Sequence, residues 1–253
     1  MELAGILFDV DGTIAESEEV HRKSFNESFK EFGVKWHWDR AIYKELLNIE
    51  GGRERIQYYI ERTDPDQLNR PDLSSFISSI HDAKSQVYSA LMTKEGVPIR
   101  PGALRLIKEA KKEGLKLAIV TASTEESLRA LFQYLPEKDL LNYFDVIADG
   151  DKVPVKKPAP DIYTWTLQEL GLSAKACFAL EDSPTGLQSS LSAGIPTIVT
   201  VSSFTKGENL SGATLVLSDL GEPSVPFKVL EGDVLGHSFV SIAMLKQFCK
   251  KSN

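Results

Sequence analysis

At 253 residues, with 42% hydrophobic and 26% charged side chains, the chain has the composition of a folded globular protein with room for one large or two modest domains. Acidic residues outnumber basic ones by 36 to 29, a net charge of −7, which argues against nucleic acid and anionic membrane surfaces as partners. No apolar run approaches a membrane span, and Cys177 and Cys249 are too few for a disulfide framework. Both read as free thiols in a reducing compartment, so a cytoplasmic protein is expected, or one of a stroma-like soluble compartment if the source is a photosynthetic eukaryote. No basic, then apolar leader opens the chain, and a strand begins almost at Met1, so no transit peptide is expected. The expected partner is a small molecule, and a monomer is expected. An anionic ligand would need a local basic cluster to overcome the global sign.

The first element in chain order is a short apolar strand over 4–8, which runs directly into Asp9-Val10-Asp11-Gly12-Thr13. From about 17 to 96 the pattern is helix after helix. Phe25, Phe29 and Phe32 share one face, as do Ile42, Leu46 and Leu47. After Pro71, the series Leu73, Phe76, Ile77, Ile80, Lys84, Val87, Tyr88 and Leu91 keeps helical spacing for several turns. From Pro98 the texture alternates. Helices are expected from about 102 to 113, from 124, over 161–170 and over 184–193, and strands over 115–120, 145–148, 177–180 and 197–201. This repeated βα pattern belongs to a doubly wound parallel sheet with helices on both faces. The strand over 4–8 joins that sheet, which makes the helical block an insertion. The remainder, from about 218, is broken by Pro and Gly and ends in a helix near 239–248.

Ligands of such sheets bind at the C-terminal ends of the strands. The first strand delivers Asp9 and Asp11 two positions apart, on one side of the backbone, and Gly12 lets the chain turn. Two acids this close repel each other unless a cation or a shared proton lies between them. Mg2+, a hard ion that takes carboxylate and carbonyl oxygens, is the expected cation. The second strand ends in Thr121-Ala122-Ser123, a hydroxyl at a helix entrance suited to a phosphoryl oxygen. Lys156-Lys157-Pro158-Ala159-Pro160-Asp161 follows the third, and Glu181-Asp182-Ser183-Pro184-Thr185-Gly186 closes the fourth. Each piece alone has an ordinary reading as turn acid, helix-end hydroxyl or solvated lysine. Together they make a phosphoryl-transfer inventory of nucleophile, metal ligands and charge-neutralising donors.

In this order the four motifs resemble the haloacid dehalogenase superfamily of phosphohydrolases over essentially the whole chain. The resemblance implies an α/β fold with a doubly wound, Rossmann-like parallel sheet core (1–15 plus 97–253) and an inserted all-helical cap (16–96). It implies that Asp9 attacks phosphorus and becomes an aspartyl phosphate, while Asp11 protonates the leaving oxygen and later activates water. Asp9, the Asp11 carbonyl and Asp182 would hold Mg2+, with Glu181 close by. Thr121 and Lys157 would hold the transferring group, with Ala122 and Ser123 beside it. Lys157 rather than Lys156 fits the motif because it directly precedes Pro. Halide displacement from carbon needs no acid at position 11, so the chemistry implied is that of phosphate.

The helical block is similar to the CbbY-like branch, whose members act as xylulose-1,5-bisphosphate phosphatases. The residues that carry this likeness are those over 15–26, Trp36-His37-Trp38-Asp39 and Gly51-Gly52-Arg53-Glu54-Arg55-Ile56. Gly51 and Gly52 would give the backbone close approach, and Arg53 and Arg55 would grip a second phosphate. Glu18 and His21, one turn apart, would meet sugar hydroxyls, whereas Trp36 and Trp38 read as packing. The substrate expected is therefore a phosphorylated sugar. The rival reading is a β-phosphoglucomutase-like mutase with the same core and cap, in which a second sugar hydroxyl rather than water takes the phosphoryl group.

Overall fold

The computed structural model describes residues 2–135, 137 and 139–251. Its sheet comprises β1 (Gly5–Phe8), β2 (Lys116–Val120), β3 (Val146–Ala148), β4 (Cys177–Glu181), β5 (Thr197–Thr200), β6 (Leu215–Leu217) and β7 (Val229–Glu231), in the order β3-β2-β1-β4-β5-β6-β7. Every pairing is parallel except β6 with β7. Alternation along each central strand divides the core into two faces. Ile6, Phe8, Leu117, Ile119, Phe178 and Leu180 point into one cluster, and Leu7, Ala118, Val120, Cys177 and Ala179 into another. Both faces are buried, which is why these strands read as continuous apolar runs.

Helices cover both sides. α5 (Ala103–Lys112), α6 (Glu125–Gln133) and α9 (Ile242–Lys251) contribute to the first cluster and α7 (Asp161–Leu170) to the second, while α8 (Pro184–Ser192) packs Leu187 beside β5 and β6. The Ser183 hydroxyl caps α8 by accepting from the Gly186 N–H at 3.1 Å, with Pro184 at the first helical position. Strands β6 and β7 are absent from the sequence reading. Each has three residues, and all three of β7 are exposed, so neither carries a period long enough to recognise. The last helix begins three residues later than expected because the Ser241 hydroxyl accepts from the Met244 N–H.

Between β1 and α5 lie α1 (Glu18–Glu31), α2 (Arg40–Leu46), α3 (Gly52–Thr63) and α4 (Leu73–Glu95), with a 3-10 turn at Pro65–Asn69 and no strand among the described residues. Phe25, Phe29, Trp36, Trp38, Tyr43, Tyr59 and Phe76 build an aromatic core of their own. The 23-residue α4 spans two cores, because Phe76, Ile77 and Ile80 enter the aromatic one and Tyr88 and Met92 the sheet's. The two chain crossings are tied together. Glu16 N–H donates to Pro98 O, Arg100 N–H donates to Ile14 O, and the Arg100 guanidinium pairs with Glu16.

One side chain crosses the other way. Phe204, in the loop after β5, is 3% exposed and sits within the aromatic core, 4.3 Å from the Arg40 guanidinium and 5.6 Å from the Tyr43 ring centroid. Phe204→Ala is expected to destabilise the protein by about 3 kcal/mol through the cavity it leaves. Urea unfolding measures this, and a loss below about 1 kcal/mol would show that the site collapses without cost.

Candidate active site

The C-terminal ends of β1, β2 and β4 and the N-terminal turns of α1, α3 and α4's middle enclose one cavity. Asp9 stands at its floor, just past β1, with its N–H on Leu180 O. Its carboxylate accepts from the Thr13 hydroxyl and from Lys157 Nζ, both at 3.0 Å. Lys157 is 6% exposed and also donates to Glu181 Oε1 at 2.7 Å and Val120 O at 3.1 Å. Tyr163 donates its hydroxyl to the same Glu181 oxygen. Lys156 also lines the cavity but gives its ammonium to Gly150 O, so it is Lys157, next to Pro158, that meets the carboxylates.

Asp9, Glu181 and Asp182 present oxygens that all lie within 4.8 Å of one another, and all three residues are buried. Burial drives the Asp9 carboxyl well above its ordinary range, Lys157 opposes this, and Glu181 and Asp11 add to it. Burial and then Asp9 raise Asp182, and burial raises Glu181 against the pull of Lys157. Glu181 Oε2 is sealed without a hydrogen-bond partner. Three buried carboxylates with one ammonium between two of them leave negative charge uncompensated, which is the donor set of a hard divalent cation. Gly12, at φ 85°, keeps this space open, since a Cβ there would stand 2.1 Å from the Asp182 carboxylate.

Asp11 faces the helical side. It accepts from the Ser17 hydroxyl, from Ser123 Oγ at 2.6 Å and from His21 Nε2 at 3.1 Å. Burial pushes its pKa up, but His21 and the two hydroxyls outweigh that and hold it below the usual carboxylate range. Lys84 Nζ lies 2.7 Å from His21 Nδ1. An ammonium has only donors, so Nδ1 is the acceptor and the proton sits on Nε2, directed at Asp11. Burial, then Lys84, lower the His21 pKa to about 4, which keeps the ring neutral at neutral pH. Tyr88 stacks on it at 4.1 Å. The Thr121 hydroxyl accepts from the Ser123 N–H at 3.1 Å, and Thr121, Ala122 and Ser123 line the cavity.

The residues read for the sugar are all on the cavity wall, but their engagements differ. Glu18 accepts from the Tyr43 hydroxyl at 2.8 Å, and burial raises its pKa to about 7. Arg55 is 9% exposed and turns inward, donating to Leu46 O, Ile49 O and the Tyr43 hydroxyl. Arg53 is half exposed, with a loose 3.6 Å pairing to Asp82. Gly51 and Gly52 open α3, and their missing side chains serve Glu54 and His81, whose atoms a Cβ would meet at 2.1 and 2.4 Å. Close approach at these glycines is thus made first by the protein's own side chains. Lys84, His81, Tyr43, Ser17 and Glu50 are not among the site residues read from the sequence. Lys84 had a signal, a charged residue inside the apolar stripe of α4.

Residues 6–200 match the family model described as haloacid dehalogenase-like hydrolase. The chain belongs to this family. This haloacid dehalogenase-like chain is 42% identical to the plasmid-borne Protein CbbY of Cupriavidus necator over 224 residues, 88% of each chain. It is 41% identical, with a TM-score of 0.80 over 88% of this chain and 98% of the other, to the crystal structure of a CbbY mutant from Rhodobacter sphaeroides in complex with xylulose-(1,5)bisphosphate. A phosphorylated carbohydrates phosphatase of Thermotoga maritima is 26% identical over 78% of this chain and 84% of its own. The chain is therefore an enzyme, a hydrolase with a doubly wound core.

Proposed function

We propose that the chain is a divalent-metal-dependent sugar-phosphate phosphatase that works through an aspartyl phosphate on Asp9 and prefers xylulose 1,5-bisphosphate. The observation that carries this reading is the cavity in which Asp9, Asp182 and Lys157, with Glu181 buried beside them, face a wall bearing Arg53, Arg55 and Lys84. The likeness to a CbbY structure in complex with that bisphosphate supports the choice of substrate. Residues 16–96 act as a cap and residues 1–15 plus 97–253 as the catalytic core. Contacts across the two, Glu50 with the Thr185 hydroxyl at 2.5 Å and Lys44 with Glu208 at 2.9 Å, shut water out while substrate is bound.

In the first half-reaction an Asp9 carboxylate oxygen attacks phosphorus and the bond from phosphorus to the sugar oxygen breaks. Asp11, which rests ionised, takes up a proton as the substrate binds and passes it to that oxygen. In the second half, water loses a proton to Asp11 and its oxygen attacks phosphorus, releasing inorganic phosphate and the Asp9 carboxylate. Asp11 serves both halves because His21, Ser17 and Ser123 hold its carboxylate in place. Lys157 and the Thr121 hydroxyl hold the transferring oxygens. Asp9, Asp182 and the Asp11 carbonyl, with Glu181 adjacent, would hold Mg2+, which when bound neutralises the charge between two anions.

Two measurements test this reading. Turnover is expected to vanish in excess chelator and return with Mg2+, and full turnover in chelator would remove the metal role. A panel of phosphorylated sugars, scored for free phosphate and for sugar isomers, is expected to give phosphate release, fastest from the ketopentose bisphosphate. Conversion of glucose 1-phosphate to glucose 6-phosphate without phosphate release would establish the mutase instead.

A further inference from the structure

Lys157 lines the cavity, whereas Glu181 and Tyr163 stand behind it, both 0% exposed. Tyr163 lies in the first turn of α7. Its ring belongs with Leu7, Val120 and Ile162 to the core cluster on that side of the sheet, and its hydroxyl donates to Glu181 Oε1. An ammonium carries three N–H donors and no acceptor. All three of Lys157 are engaged, on Asp9 Oδ1 at 3.0 Å, Glu181 Oε1 at 2.7 Å and Val120 O at 3.1 Å. To donate to a phosphoryl oxygen in the cavity, Lys157 has to leave one of these acceptors.

Glu181 is the acceptor that can lose the ammonium without being emptied. Its Oε1 takes two donors, Lys157 and Tyr163, and keeps one when Lys157 moves. Asp9 is differently served, with Lys157 on Oδ1 and Thr13 on Oδ2, so departure from Asp9 would strip the reacting carboxylate of its cation. Without the Tyr163 hydroxyl, Glu181 would be left bare. Its Oε2 is sealed with no partner, against Gly186, where a Cβ would lie 1.9 Å away. A buried carboxylate with neither a cation nor a donor carries a large penalty. Burial first, then the Glu181 charge, hold the Tyr163 pKa well above its ordinary value, so the hydroxyl stays protonated and able to donate.

We propose that Tyr163 is a positioning residue, whose hydroxyl keeps hold of Glu181 when the Lys157 ammonium leaves that carboxylate for an oxygen of the transferring phosphoryl group. This rests on the phosphatase reading above, in which Lys157 holds that group. It goes beyond that reading by assigning a part in phosphoryl binding to a side chain that never reaches the cavity, and by naming the acceptor that Lys157 gives up.

The test measures two dissociation constants by calorimetry, that of inorganic phosphate at saturating Mg2+ and that of Mg2+ without phosphate, with thermal melting on the same preparations. Tyr163→Phe removes one oxygen and keeps the ring in the core. Its phosphate constant is expected to rise by about ten- to hundredfold, the worth of a hydrogen bond to a charged group. Its Mg2+ constant should change by less than about threefold, because Lys157 then stays on Glu181. In a Glu181→Gln background no buried charge remains to be stranded, so adding Tyr163→Phe should alter phosphate binding by less than about threefold. Unchanged phosphate affinity in Tyr163→Phe overturns the proposal, since Lys157 would then be leaving another acceptor such as Val120 O. A loss confined to Mg2+ overturns it by showing that Tyr163 only orients a metal ligand, and an equal phosphate loss in both backgrounds by showing that Glu181 is not involved. A wild type that binds no phosphate at saturating Mg2+ overturns the phosphatase reading itself. Should Tyr163→Phe alone fail to fold, the comparison within the Glu181→Gln background decides, because a loss there overturns the proposal and no loss supports it.

Discussion

Asp9→Asn is expected to abolish turnover and leave the fold intact. The amide keeps the shape of the carboxylate and can still accept from Thr13 and face Lys157, but it cannot form the covalent intermediate on which both half-reactions depend. Stability should be retained or increased. The native carboxyl is raised well above its ordinary range by burial, so its charged form is held at a cost that a neutral amide avoids. Phosphate release and thermal melting, measured on the same preparation, check both halves of the statement. Retention of more than a few per cent of the activity in a correctly folded variant would remove Asp9 as nucleophile.

Lys157→Ala is the second large effect, and it should be visible in stability as well as rate. Lys157 Nζ is the only cation within hydrogen-bond reach of both Asp9 and Glu181 among the described residues. Removing one partner of a buried ionic cluster leaves the others uncompensated, which costs about 3–5 kcal/mol. Loss of a donor aimed at the transferring group slows turnover by roughly 10²–10³-fold. The stability loss has a sign in pH. Lys157 lowers the pKa of both acids, so in its absence their folded-state values rise further above the unfolded ones. Groups shifted upward contribute stability at low pH and lose it as pH rises through the folded value. The difference between variant and parent, measured by urea unfolding in chelator, should therefore be larger at pH 8 than at pH 5. Equal differences at the two pH values would mean that Asp9 and Glu181 are not the groups Lys157 balances.

Much of the architecture is legible from local pattern. The runs Gly5–Phe8 and Cys177–Glu181 are buried throughout, and their unbroken apolar character announces central parallel strands before any pairing is known. The acids and hydroxyls that follow such strands are brought to one edge by the topology, so reading what comes after each strand finds Asp9, Asp11, Thr121, Lys157, Glu181 and Asp182 together. Where an element is too short to show its period, as β6 and β7 are, only pairing with a neighbour reveals it. The start of α9 escaped for a related reason. A single hydroxyl, that of Ser241, sets it, and apolar spacing carries no trace of a cap.

The sequence by itself determined that helices and strands alternate after residue 98, that a helical block separates them from the first strand, and which residues stand at the strand ends. These follow from interactions between neighbours in the chain, through side-chain period and turn chemistry. Only the tertiary structure decided what each polar side chain meets. Lys84 and His21 are 63 positions apart, yet their contact settles which nitrogen of His21 carries the proton directed at Asp11. Arg53 and Arg55 are two positions apart, and one opens to the cavity mouth while the other is held by Leu46 O, Ile49 O and Tyr43. A buried donor or acceptor must be satisfied by whatever packing brings within about 3 Å, and that partner is chosen by the fold as a whole rather than by the residues on either side.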